Sequence, residues 1–160
     1  MKHRFILCLI ALILCCACCL PASAEYDTPD AWDLTFETDD VIAAAKEVCL
    51  IYGGLGIWEK GQVQTVGCVV LEQNESDDKI ELALYTARSV FDCSSGSPEH
   101  IAGGLKPIKL IFEKEDNGLR LLSYQKPEDG AKNAASQERI FGKALHLDIA
   151  KRQFEYAELA

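Results

Sequence analysis

The first 24 residues constrain the folded protein most, because the sequence predicts that they are removed before the rest of the chain folds. A short basic start, Met1–Arg4, precedes an apolar run of 16 residues, Phe5–Leu20. Small residues follow and end in the Ala-x-Ala pattern that signal peptidases cleave. We therefore expect a secretory signal over residues 1–24, with cleavage between Ala24 and Glu25. The mature chain would then work outside the cytoplasm, as a secreted or periplasmic protein.

Two alternatives to cleavage stay open. An uncleaved membrane anchor needs about 20 apolar residues, whereas this run is shorter and is followed at once by Pro21. A lipoprotein would carry its lipid on a cysteine such as Cys18, but the Leu-small-small pattern expected before such a cysteine is absent. Cleavage fits both observations, and it predicts that the mature protein has no stable membrane anchor.

The net charge of the mature chain limits the classes of molecule that it is expected to bind. Cleavage leaves 136 residues, enough for one domain with a single core. Because Lys2 and Arg4 are lost, 14 basic residues face 25 acidic ones and the net charge is −11. Such a surface repels nucleic acid and anionic lipid, since binding to either depends on neutralising phosphates. We expect an unknown protein or small-molecule partner, and a cationic one would be tolerated.

Most of the cysteines disappear with the signal. Only Cys49, Cys68 and Cys93 remain in the mature chain. In an oxidising compartment they allow one disulfide in any of three pairings, or three free thiols. Cys49 and Cys68 lie in apolar periodic segments, which favours buried thiols. Neither Cys-x-x-Cys nor Cys/His zinc spacing occurs, so the sequence predicts no metal site.

An extended acidic lead-in and a helix are predicted for the start of the mature chain. Residues 25–37 are acidic and alternate apolar with polar side chains near their end, which suits an edge segment. From Thr38 the apolar period becomes helical, and its stripe contains Val41, Ala45, Val48, Tyr52 and Leu55. Thr38 is the expected N-cap, and Gly53–Gly54 ends the helix.

Four strands in two hairpins are predicted next. Val63–Glu72 and Ile80–Phe91 flank a polar stretch and pair most simply as an antiparallel hairpin. Pro107 is expected to open a third strand, Ile108–Glu113, and a short turn leads to a fourth, Leu119–Gln125.

A second helix completes the predicted domain. It is expected to start at about Ser136, and Gly142 weakens its first turns.

The second predicted hairpin has a consistent core face. Its turn length would place the apolar residues of the third strand opposite Leu122 and Tyr124. Residues 38–160 are thus expected to form one α+β domain with an N-terminal helix, a four-stranded antiparallel curved sheet and a C-terminal helix. This arrangement is roughly cystatin-like or related to the nuclear-transport-factor-like rolls.

Motifs for catalysis are missing from the mature sequence. Gly-x-Ser-x-Gly, His-Glu-x-x-His and a Gly-rich phosphate loop after a strand do not occur, so no catalytic residue and no cofactor are predicted. Cys93 and His100 share one predicted loop region. Asp148 follows His146 by two positions, and a helix points such neighbours in different directions. Enzymatic activity is therefore uncertain and less favoured than binding.

Aromatic side chains are the predicted ligand-binding residues. Trp58, Tyr85, Phe91 and Tyr124 are spread over the sheet and its edges. A sheet curled around a helix can leave such residues lining a groove, although core packing is an alternative for each. The sequence predicts a non-enzymatic binding or accessory module of unknown ligand. A small enzyme with a sheet-lined pocket and a secreted protease inhibitor are the alternatives.

The second half of the mature chain resembles a known family. Lys106–Phe112, the turn at Glu113–Gly118, Leu119–Tyr124 and Pro127–Gly130 are similar to the extracytoplasmic domain attached to some bacterial membrane zinc peptidases of the beta-lactam sensor-transducer family. That domain has a Pro-led strand, a hairpin, a strand ending in Tyr, a Pro-x-Asp-Gly break and a terminal helix. Ala131–Asn133 replaces its Ser-Tyr-Tyr. The resemblance covers about half of the mature chain and implies a bacterial accessory or sensing domain without the peptidase.

Overall fold

A five-stranded antiparallel sheet lies between two helices in the computed structural model, which describes residues 34–52 and 61–159. The elements in chain order are β1 (Thr35–Phe36), α1 (Val41–Tyr52), β2 (Gln62–Glu75), β3 (Lys79–Asp92), β4 (Glu99–Glu115), β5 (Gly118–Gln125) and α2 (Asn133–Leu159), with a 3-10 turn (Gly130–Lys132) before α2. The strand order is β1-β5-β4-β3-β2, so β1 and β2 are the outer strands. The predicted α+β class and both predicted hairpins are confirmed.

Helix α1 begins at a side-chain cap. The carboxylate of Asp40 accepts hydrogen bonds from the backbone N–H groups of Ile42 (2.9 Å) and Ala43 (3.1 Å). Asp40 therefore satisfies the first free donors of the helix, whereas Thr38, the predicted N-cap, accepts a hydrogen bond from the Asp40 N–H instead. The buried face of α1 is formed by Ala44, Ala45, Val48 and Cys49.

The larger core lies between α1 and the sheet. Alternate residues of the two central strands point toward α1, because successive side chains of a strand point to opposite faces. The fully buried side chains of this core include Leu82, Leu84, Ile108, Leu110 and Phe112. Burial of each such side chain contributes roughly 1.5–3 kcal/mol.

Helix α2 covers the opposite face of the sheet. Tyr85 follows the α1-facing Leu84 and therefore points toward α2, where it packs with Ile149 and Tyr156. The Tyr85 and Tyr156 ring centroids are 5.7 Å apart. Neither helix in the described ranges combines the length and apolarity needed to cross a membrane.

The fifth strand comes from the end of the predicted lead-in. Thr35 pairs with Arg120 and Phe36 pairs with Leu119, so β1 extends the sheet beyond β5. The alternating side chains of residues 25–37 predicted an edge segment there, and β1 is the outer strand on that side of the sheet. The prediction of four strands did not count this two-residue segment as a strand.

Strand β4 starts well before the predicted position. It begins at Glu99, and Pro107 lies buried within it rather than opening it. Pro107 is opposite Tyr85 of β3, whereas β5 pairs with β4 only from Lys109 onward. The β5 side of β4 is thus without a strand partner at Pro107, and a strand edge accommodates a residue that has no N–H.

The second hairpin contains an irregular register. Tyr124 lies opposite Leu110, as the turn length predicted. A shift at Phe112 then places Leu121 opposite that residue, and Leu122 is exposed. The prediction for Leu122 was wrong because a bulge adds a residue to one strand and reverses the faces beyond it.

Gly118 should be essential where β5 meets β1. Its φ is +141°, and a Cβ at this position would lie 2.0 Å from the carbonyl oxygen of Phe36. We expect Gly118→Ala to lower the free energy of unfolding by about 2–4 kcal/mol, since it adds backbone strain and a clash with β1.

Gly104→Ala is the matched control for this substitution. Gly104 has no positive φ, and no described atom lies within 4 Å of the position that an alanine methyl group would occupy there. The free energy of unfolding of Gly104→Ala should equal that of the wild type or exceed it by up to about 1 kcal/mol. Urea unfolding followed by circular dichroism measures both variants. Equal midpoints for the two variants would contradict the contact between β5 and β1.

Candidate functional site

The candidate site depends on a break in α2 at Gly142. This residue has φ 76° and ψ 161°, a combination that glycine adopts far more readily than any other residue. Beyond the break, His146 Nδ1 lies 3.2 Å from Gln137 Oε1, although the two residues are nine positions apart. In a continuous helix they would be separated by about 13 Å along the axis. The bend therefore brings the two halves of α2 together at this point.

A groove of about 420 Å³ lies between the bent α2 and strands β3 and β4. Its apolar lining includes Tyr85, Leu105, Pro107 and Ile149. Leu105 is 49 % exposed, so apolar surface is available to a ligand. Small-molecule sites in proteins typically measure roughly 300–1,000 Å³ and combine an apolar lining with a few polar groups. The groove has the size and composition of such a site.

An ion pair lies at the mouth of the groove. The Lys106 ammonium is 2.8 Å from a carboxylate oxygen of Asp129, and both residues line the groove. This hydrogen bond and the charge of Lys106 hold the pKa of Asp129 below its usual value. The backbone carbonyl of Lys106 also accepts a hydrogen bond from Thr86 Oγ1 at 2.8 Å. The two charges compensate each other, so a ligand at the mouth meets a dipole rather than a free charge.

Amide and imidazole groups form the rest of the polar lining. Gln137, His146 and Gln153 all contribute to it, and His146 is oriented by the Gln137 amide. The carboxylate of Asp148 instead accepts a 2.5 Å hydrogen bond from the Tyr156 hydroxyl. His146 and Asp148 thus have different partners, as expected for residues two positions apart in a helix.

The four predicted ligand-binding residues do not meet in one place. Tyr85 lies in the floor of the groove. Phe91 lies outside the groove, where its ring centroid is 5.4 Å from that of His100. Tyr124 points to the opposite face of the sheet and stacks on Tyr52 at 5.2 Å. Trp58 lies outside the described residues.

Several groove residues were not predicted from the sequence. Lys106 and Asp129 lie in the segments of the family resemblance, which predicted no binding role for them; Gln137 carries no recognisable motif, and His146 looked like an ordinary helix residue. The available signal was Gly142, because a glycine inside a helical pattern indicates a bend or a close approach. If α2 is bent at Gly142, polar residues on either side of the bend can lie close together, which makes them candidate ligand contacts.

Metal ligands are not clustered within residues 34–52 and 61–159. No group of three or more His, Cys, Asp or Glu side chains is placed there to hold a metal ion. The thiols of Cys49, Cys68 and Cys93 are all free, and Cys49 lies on the buried face of α1.

Comparisons with family models, with curated proteins and with solved structures found no match for this chain. The resemblance of its second half to the sensor-transducer domains therefore stays a prediction. The groove is interpreted from its own geometry.

The Tyr156 hydroxyl should stabilise the second half of α2. Its hydrogen bond to Asp148 raises the pKa of Tyr156 above the ordinary value of 10.0. Tyr156→Phe is expected to lower the free energy of unfolding at pH 7 by about 1–2 kcal/mol, because it removes a hydrogen bond to a carboxylate.

The effect of Tyr156→Phe should also depend on pH. Above pH 10 the unfolded chain loses the tyrosine proton before the folded chain does, so the wild-type protein loses stability there. The difference between the two proteins is expected to be constant below pH 10 and to narrow above it. Urea unfolding at pH 7, 9 and 11 measures the difference. A gap of equal size at all three pH values would contradict the proposed hydrogen bond.

Proposed function

We propose that this protein is a secreted or periplasmic, non-enzymatic binding module that holds a small amphipathic ligand between α2 and strands β3 and β4. One observation carries the proposal: a groove of about 420 Å³ with an apolar floor and a hydrogen-bonding rim. The position of Tyr85 in that floor supports the predicted binding role of this residue.

The lining favours a ligand with an aromatic or aliphatic body and a neutral or cationic polar group. Tyr85 and Leu105 offer apolar surface, and Gln137 and Gln153 offer both amide donors and amide oxygens. The Lys106–Asp129 pair leaves no uncompensated charge at the mouth. The net charge of −11 on the mature chain attracts cations over a longer range. Aromatic amines meet all of these conditions.

The surroundings of His146 favour binding over catalysis. A general base is usually oriented by a carboxylate, whereas His146 contacts an amide and Asp148 contacts Tyr156. Among the described residues that line the groove, none is Ser, Thr or Cys, the common nucleophiles.

The hairpin turns give little support to the inhibitor alternative. The β2–β3 turn, residues 76–78, is Ser-Asp-Asp, and the β3–β4 connection, residues 93–98, is Cys-Ser-Ser-Gly-Ser-Pro. Residues 94–98 are all exposed and none is a large apolar side chain. An inhibitor that inserts loops into a protease cleft would be expected to present apolar side chains there.

Filling the groove should abolish ligand binding without unfolding the protein. Ala134 lines the groove, whereas its neighbour Ala135 is exposed outside it. We expect Ala134→Trp to weaken the binding of phenethylamine and tryptamine at least tenfold, and Ala135→Trp to leave it unchanged. Amide chemical-shift titrations of the labelled mature protein measure both affinities.

Two results would contradict the groove proposal. The first is that neither amine shifts the amide signals of Tyr85, Gln137 and His146. The second is that the two tryptophan variants bind the amines equally, which would locate the binding elsewhere on the protein.

The proposed location has a separate test. Residues 1–33 lie outside the described residues, so the secretory signal is supported by the sequence alone. Expression of the full chain in a bacterium, followed by intact-mass analysis of the periplasmic fraction, should give a protein that starts at Glu25. A cytoplasmic protein that retains residues 1–24 would contradict the proposal.

A further inference from the structure

Two buried hydrogen-bond donors on the α1 side of the sheet lack acceptors. Gln64 Nε2 and Arg88 Nη1 are shielded from solvent, and neither donates a hydrogen bond to any described residue. Buried donors are nearly always satisfied in folded proteins, because leaving one unpaired is costly. Two such donors on adjacent strands therefore need an explanation.

The two donors are close neighbours on one face. Arg88 lies opposite Val66 on β2, and Gln64 is two residues before Val66, so Gln64 and Arg88 form a diagonal cross-strand pair. Val66 packs against the α1 core, which places both donors on the α1 side. Their side chains can therefore reach a common point between α1 and the sheet.

Space is available beside Arg88. On its other side, Arg88 lies directly opposite Gly104 of β4. A side chain at Gly104 would project from the same face as Arg88, and no described atom lies within 4 Å of its first carbon position. Among the described residues, the face of the sheet at Gly104 is therefore open next to Arg88.

Arg88 also lacks a compensating charge. It forms no ion pair with a carboxylate in residues 34–52 and 61–159. The ionisable groups that feel its charge are Cys49 and Tyr124, and burial raises the pKa of each to about 12 despite Arg88. Both groups are therefore neutral at physiological pH. A partly buried guanidinium that has neutral Cys49 and Tyr124 beside it, and no carboxylate partner among the described residues, can accept an anion.

We propose that Arg88 and Gln64 form a second binding site, separate from the α2 groove, for the carboxylate of a small aliphatic monoacid. A guanidinium presents two parallel N–H groups to a planar carboxylate, and the Gln64 amide supplies a further donor. The single positive charge matches a monoanion. Val66, which lies opposite Arg88 and is only partly buried, provides apolar surface for a short aliphatic chain.

Butyrate and hexanoate are suitable probes. We expect each to raise the melting temperature of the mature protein above that in sodium chloride of equal ionic strength. Each should also shift the amide signals of Gln64, Arg88 and Gly104 without shifting those of Gln137 and His146. Failure of the groove proposal would leave these shifts intact, because the two sites lie on opposite faces of the sheet.

Three substitutions test the site. Arg88→Met should weaken butyrate binding at least tenfold and leave the unliganded protein as stable as the wild type or more so, since it removes an unpaired buried charge. Gly104→Leu should weaken binding equally by filling the space while Arg88 stays in place. Arg120→Met is the matched control, because Arg120 of β5 pairs with Glu113 and Glu115 of β4 and its loss should not affect butyrate binding.

The chain itself offers the competing occupant. Glu59 lies between α1 and β2 in the sequence, and its carboxylate is tested as that occupant. The proposal is overturned if butyrate and chloride have the same effect on the wild type. It is also overturned if Arg88→Met retains wild-type affinity, or if Glu59→Gln and Arg88→Met destabilise the unliganded protein equally.

Discussion

The alternation of side chains along β3 is the constraint on which the rest of the structure depends. Leu84 is buried beneath α1, and the next residue, Tyr85, is buried beneath α2. One interior strand of the sheet therefore contributes buried side chains to the packing of both helices. A slip of one residue in the pairing of β3 would turn each of its side chains toward the wrong helix. Packing against both helices therefore fixes the register of β3 in the sheet.

The two faces of the sheet differ in whether their polar groups have hydrogen-bond partners. On the α2 side, charged and hydroxyl groups are paired, as in the Lys106–Asp129 and Tyr156–Asp148 contacts. On the α1 side, Arg88 and Gln64 keep donors that no described residue satisfies. The first arrangement suits a ligand held by shape and hydrogen bonds. The second suits a ligand that brings its own negative charge.

The fold could be predicted from patterns within single segments, whereas the groove depends on contacts between segments that are distant in the sequence. The alternation in Val63–Glu72 and Ile80–Phe91 lies within each segment, and it was sufficient to predict the first hairpin. Strand β1 is only two residues long. The first half of β4 was not predicted, because Pro107 was expected to open that strand. The groove was not predictable because it depends on the backbone dihedrals of Gly142. Of the predicted aromatic residues, the structure places Tyr85 in the groove.

The exposed side of β2 has a consequence for how copies of the protein behave together. β2 is the outermost strand on its side of the sheet and spans 14 residues, and such a strand is a ready template for pairing with another chain. An irregularity between Val70 and Glu72 interrupts it, and Glu72 and Glu75 place negative charge near its end. Two copies approaching edge to edge would bring these carboxylates together. Negative charge at this edge opposes edge-to-edge pairing of two copies.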